Sequence, residues 1–164
     1  MPSSLRVITQ ATLGCLLASV LQAEPLPAEI VGEWAAPGSR FGRGALTRGS
    51  ALYLAGDGTA VLLGAPPPIG IRGQATYDPS TRRLTIALFD DDNGGRVRDT
   101  TVFIHDPRRQ SLAALTDATG KNAFRRRRPA VPEEILAEAR RAEARSREQP
   151  PKGHRERLPT RESP

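Results

Sequence analysis

The stretch FDDDNGGRVRD, residues 89–99, gathers three adjacent carboxylates, Asp90, Asp91 and Asp92, with an asparagine, two glycines and two arginines. Oxygen ligands at this density suit a hard cation such as calcium. A helix–loop–helix calcium loop needs oxygen at positions 1, 3 and 5, Gly at 6 and Glu at 12. Counted from Asp90, position 5 is Gly94 and position 12 is Thr101; counted from Asp91, position 6 is Arg96. Both registers fail, and Arg96 and Arg98 would repel the ion. The stretch reads instead as a hairpin loop with the turn dipeptide Asn93-Gly94 at its tip, and no metal site is expected.

His105 is the one histidine ahead of the basic C-terminal region. General-base or metal chemistry needs a second ligand or an orienting group. Asp106 is adjacent in sequence, but successive strand residues face opposite ways, so a packing role is expected. No Gly-x-Ser-x-Gly or His-Glu-x-x-His motif occurs. The Gly/Arg-rich GSRFGRGALTRG, residues 38–49, precedes no helix whose N-terminus would hold a phosphate. No catalytic residue, no cofactor and no enzymatic activity are expected. The run Arg125, Arg126, Arg127, Arg128 invites a nucleic-acid reading. It is read instead as a last strand with a basic exit, able to contact an anionic envelope surface such as lipid headgroups.

The elements that must position these residues begin after residue 23. Residues 1–23 have a positive start, a short apolar run (ATLGCLLASVL) and a small residue at a cut site, the layout of a cleaved secretory signal. The run is too short for the ~20 residues that span a bilayer. Cys15, the only cysteine, leaves with the signal, so the mature chain has no thiol chemistry and no disulfide. Charge is unevenly placed: residues 24–124 hold 11 basic and 11 acidic residues, and residues 125–164 hold 12 and 7. The basicity is a property of the C-terminal region, and with export and few aromatics it argues against a nucleic-acid partner. Only Lys121 and Lys152 are lysines among the 24 basic residues, a bias of GC-rich bacterial genomes, so export points to the periplasm.

Short apolar runs cut by turn signals predict an all-β fold. Eight strands are expected, at 29–36, 50–56, 59–64, 70–77, 83–89, 96–105, 111–116 and 122–126. Asp57-Gly58 marks a hairpin, and prolines 66 to 68 mark a break. YDPSTRRL (77–84) and HDPRRQSL (105–112) repeat at an offset of 28. Asp opens each turn and Pro pre-sets its φ, so one corner is used twice. Hairpin after hairpin gives an up-and-down meander closing into a roughly eight-stranded small barrel over 24–128. Trp34, Leu52, Leu54, Val61, Ile71, Tyr77, Leu84, Ile86 and Leu88, with Leu63, are expected to face its interior and any ligand held there. Residues 129–149 predict a solvated helix docked by its first turn, with Glu143 and Arg147 paired. Residues 150–164 predict a disordered tail.

In EIVGEW, Gly32 stands two residues before Trp34 at the start of the first strand. This resembles the Gly-x-Trp signature of lipocalins and related calycin barrels. The resemblance implies that Trp34 closes the barrel floor and that one of Arg125, Arg126, Arg127 or Arg128 covers it. Small periplasmic barrels that inhibit secreted metalloproteases are a second resemblance, and imply a role for residues 24–28 as an inserting arm. The expected function is an exported, non-enzymatic binding protein with a small or lipidic ligand in the barrel mouth. The alternative is a periplasmic protein-interaction or inhibitor module acting through loop 37–49 or the N-terminal arm.

Overall fold

The structure is a computed structural model and describes residues 24–148. The expected signal (1–23), the last expected helix residue (149) and the expected tail (150–164) lie outside the described residues. Nine strands follow in order: β1 Gly32–Ala35, β2 Arg40–Gly42, β3 Ala45–Leu54, β4 Thr59–Ala65, β5 Ile69–Asp78, β6 Arg83–Asp90, β7 Arg96–Asp106, β8 Ser111–Ala114 and β9 Phe124–Arg128. A helix, α1, covers Glu133–Glu148. All paired neighbours are antiparallel, and β1 pairs with both β9 and β3. Eight strands therefore close into a barrel, which removes the open sheet edges. Each of the eight expected strands is present.

The ninth strand corrects the sequence reading. Residues 37–49 are expected as a loop, but β2 pairs with the first half of β3, Phe41 opposite Leu46, as a hairpin outside the barrel. Its bend back to the barrel falls at Gly49, where φ is +91° and a Cβ would sit 2.6 Å from Ser39 Oγ. That hydroxyl donates to the Ser50 carbonyl at 2.8 Å and accepts from the Ser50 N–H at 3.1 Å, so only glycine suits the corner.

The twofold corner is observed. Asp78 accepts from the Ser80 N–H at 2.9 Å, and Asp106 from the Arg108 N–H at 3.0 Å. Arg82 and Gln110, at matched positions, both take positive φ (55° and 45°) before the chain re-enters a strand.

Strand alternation builds two apolar layers. The interior holds Trp34, Leu52, Leu54, Ala60, Ala75, Leu84, Ile86, Leu88, Phe103 and Leu112, with Leu62, Ile71 and Tyr77 packed on them. Leu26 and Ile30 cap one end. The second layer lies outside: Ala51, Tyr53 and Val61 pack with Phe41, Leu46, Leu63, Val131, Ile135 and Ala139. Val61 and Leu63 thus face out, against expectation. Leu52 pairs with Leu62 and Leu54 with Ala60, which turns Leu62 and Ala60 inward. β4 reads TAVLLGA and is apolar on both faces, so its period cannot tell the two apart.

The outer layer exists because the hairpin and α1 cover it. Pro132 starts α1, its carbonyl accepting from the Ile135 N–H at 3.1 Å. The helix was expected to be solvated beyond its first turn. It docks further along: Ala139 sits on the Val61 cluster and Ser146 is buried over Gly95. Its other faces carry the ion pairs Glu138–Arg141 (2.8 Å) and Glu143–Arg147 (2.6 Å), the latter as expected.

Candidate functional site

At the floor, the start of β1 folds back so that Trp34 is fully buried and its Nε1–H donates to the Ile30 carbonyl at 2.9 Å. The Arg126 guanidinium lies 5.9 Å from the Trp34 ring. Its Nη2 donates to the Ala28 and Val31 carbonyls at 2.7 and 2.6 Å, which ties the N-terminal turn to the last strand. Gly32 has φ +141°, and a Cβ there would overlap the Arg128 carbonyl oxygen. Glycine is needed for close approach of β1 to β9. Residues 24–28 are part of this floor: Leu26 is buried and its N–H bonds the Gly56 carbonyl at 2.8 Å.

His105 is buried beside this floor. Its ring meets Trp34 and Tyr77 edge-on at 6.0 Å, and its Nδ1 is 3.3 Å from the Tyr77 hydroxyl. Tyr77 and His105 are the matched residues of the repeat, so each corner delivers one ring to the same place. Burial pushes the His105 pKa down, and Glu29 and Asp106 only partly oppose it. The imidazole is therefore a neutral packing group.

The four arginines of the run divide among different partners, and Arg126, Arg127 and Arg128 share one surface cleft. Alternation along β9 sends Arg126 inward to Trp34 and Arg127 outward. Arg127 Nη1 donates to both oxygens of Glu33 at 3.0 and 2.9 Å, and its guanidinium stacks 4.0 Å from the Phe41 ring. Arg128 Nε is 3.6 Å from the same carboxylate. Arg125 donates to the Arg109 carbonyl at 3.1 Å. Glu33, fully buried, is the functional-looking residue that sequence reading missed. Its one signal was a carboxylate inside the apolar strand EIVGEW.

The acidic stretch 89–99 joins the end of β6 to the start of β7 through a hairpin loop, one turn of 3₁₀ helix, Asp91–Asn93, followed by Gly94 and Gly95, both with positive φ. Asp91 accepts from Arg72 Nη2 at 2.9 Å, and Arg72 also covers the Phe89 ring at 4.7 Å. Among the described residues no three His, Asp or Glu side chains are grouped as a cation would require. The loop anchors a strand and the end of α1.

Of the residues expected to line a ligand cavity, Trp34, Leu52, Leu54, Leu84 and Ile86 are at most 1% exposed and pack against one another. Leu88, Ile71 and Tyr77 complete that packing, and Val61 is on the other face. The clefts described lie outside the barrel. One, of about 470 Å³, runs between the hairpin tip (Arg43, Leu46), the outer face of β3 and β4 (Tyr53, Leu63), Pro68 and the start of α1 (Ile135), with Arg128 and Glu134 at its edge. A second, of about 380 Å³, continues past Ile135 to Ala139, Arg72 and Asp91. Burial, and then Glu33, raise the Tyr53 pKa, so its phenol stays protonated.

Fold and site together define a small closed antiparallel β-barrel with a side-chain-filled interior and an apolar groove on its outer face. Comparison with protein-family models, curated proteins and solved structures finds no match. Among the described residues no helix is long and apolar enough to cross a membrane.

Proposed function

We propose that this chain is an exported, non-enzymatic binding protein of calycin-like architecture that holds a small or lipidic ligand on the outside of its barrel. One observation carries the reading: the interior is occupied by the protein's own side chains, while the open apolar volume of about 470 Å³ lies between hairpin and helix. Small-ligand clefts typically measure ~300–1,000 Å³ and are mainly apolar with a few polar groups. The ligand site therefore moves from the barrel mouth to the groove beside the 37–49 segment. The calycin-like part of the reading is supported by Gly32, Trp34 and the Arg126 guanidinium over the indole. Export is supported by residues 1–23, read as a secretory signal. A non-enzymatic role is supported by the floor, where the only described histidine faces two aromatic rings.

Native mass spectrometry of the chain isolated from bacterial cells tests the proposal. A bound small molecule is expected, absent from Ile135→Asp, which charges the groove, and retained by Thr101→Ser on the barrel wall. A spectrum of the bare chain alone, or a bound mass unchanged by Ile135→Asp, refutes it.

A further inference from the structure

The groove is apolar along its length and has an arginine at the hairpin tip and another at its base. Leu46, Leu63, Pro68 and Ile135 form its walls, and Gly64 and Ala65 leave room for a chain to lie close to the strand. Arg43 stands at the hairpin tip and Arg128 at the base. The segment 34–56 contains Arg40, Arg43 and Arg48 and no Asp or Glu. Arg40 and Arg48 face each other across the hairpin. Among the described residues, none of these three arginines has a carboxylate within ion-pair distance. Two acids lie close. Glu33 is already paired with Arg127 and Arg128, and Glu134 is at the exposed rim. The hairpin thus carries three cations with no internal neutralisation, next to an apolar trough.

Resting on the reading of this groove as the ligand site, we infer that its ligand is a free single-chain alkyl carboxylate, the head meeting Arg43 at the hairpin tip, unpaired among the described residues, and the chain lying between Leu46, Leu63 and Ile135. An arginine fork matches a carboxylate in both geometry and charge. The apolar walls bury methylenes, each of which strengthens binding about fourfold when fully removed from water. The source assigned is the free acid, and phosphatidylglycerol vesicles in the test distinguish it from a two-chain phospholipid. Neutral and cationic heads lack the attraction.

Isothermal titration calorimetry with octanoate, decanoate and dodecanoate, all as monomers, provides the test, with dodecanol and dodecylamine as head-group controls. Affinity should rise two- to fourfold per methylene through the carboxylate series. Dodecanol should bind at least tenfold more weakly than dodecanoate, and dodecylamine should not bind. Arg43→Asn keeps a residue that tolerates the positive φ of 51° at this position. It should weaken dodecanoate about tenfold and leave dodecanol unchanged. Ile135→Asp, checked for folding by circular dichroism, should remove binding of all three acids. Equal binding of dodecanol and dodecanoate refutes the ligand class while leaving the groove in place. Binding that survives Ile135→Asp puts the acid elsewhere and refutes the site. Association with phosphatidylglycerol vesicles but with no monomeric acid overturns the assignment in favour of a membrane lipid. No binding of any probe, together with a bare chain in the native mass spectrum, removes the groove reading as well.

Discussion

Arg127→Met is expected to cost the fold about 3 kcal/mol. Glu33 is fully buried on the outer face of β1, and Arg127 Nη1 reaches its two oxygens at 3.0 and 2.9 Å. At an effective dielectric of ~20, unit charges this close attract by roughly 6 kcal/mol. Desolvation, at several kcal/mol per buried ion, offsets most of that attraction. Removing the arginine loses the attraction and keeps the penalty on Glu33, a loss of ~3–5 kcal/mol in buried pairs. Arg128 remains with Nε at 3.6 Å, which places the expectation at the low end. Methionine retains an unbranched apolar stem over the Phe41 ring, so the hairpin contact is partly kept. Urea unfolding followed by circular dichroism measures the change. With a slope of ~1–3 kcal/mol/M the midpoint should fall by roughly 1–3 M. Glu33→Leu added to Arg127→Met removes the orphaned carboxylate and should recover most of the loss, because Arg128 is half-exposed and can be solvated. A single-variant loss below ~1 kcal/mol, or a double variant less stable than the single, refutes the assignment of Glu33 as a buried charge held by Arg127.

Two further expectations concern the floor and the helix. The His105 pKa is depressed by burial below its ordinary 6.5, so the unfolded chain takes up the proton first. The contribution is fully present above about pH 6.5 and is lost as pH falls through the lower folded value. Unfolding free energies between pH 8 and 5 should decline below 6.5, and His105→Gln should flatten that decline. A wild-type curve flat across this window refutes the neutral, buried imidazole. Asp78, held down to about 2 by Ser80 and Thr81, acts only in a separate acid window and does not blur the result. Gly95→Ala places a methyl 2.8 Å from Ser146 Oγ at φ +69°, at a cost of about 1–2 kcal/mol. Hydrogen exchange should accelerate in the last turn of α1 and stay unchanged in β5 and β6. Equal acceleration in those strands would show that the helix end opens only with the whole barrel.

Most of the fold was legible because it is local. An antiparallel meander writes itself as alternation between turn residues, and Asp57-Gly58, Asp78-Pro79 and Asp106-Pro107 each set a corner through their own backbone chemistry. The short strand β2 was not legible. Three residues, Arg40, Phe41 and Gly42, show no period, and the strand exists only because β3 extends beyond the barrel to pair with it. The docked helix was half legible. Ile135 marked the first turn, but Ala139 and Ser146 are small residues that carry no apolar signal and are buried by what they meet. Glu33 was overlooked because a single acid in an apolar strand has the same appearance whether it faces water or an arginine.

The sequence by itself determined the eight barrel strands, their corners and the meander order, since each depends on residues close in the chain; a seal by Trp34 was implied only by the Gly-x-Trp resemblance. Tertiary structure alone decided which side of β4 is inside, which arginine reaches Trp34 and which holds Glu33. It also decided that the open apolar space lies outside the barrel. Those outcomes depend on the closure of β1 onto β3 and β9, and on the hairpin and helix that settle over the outer face. Closure sets one register for the whole ring, and a shift of one residue would turn every side chain of a strand to the opposite face.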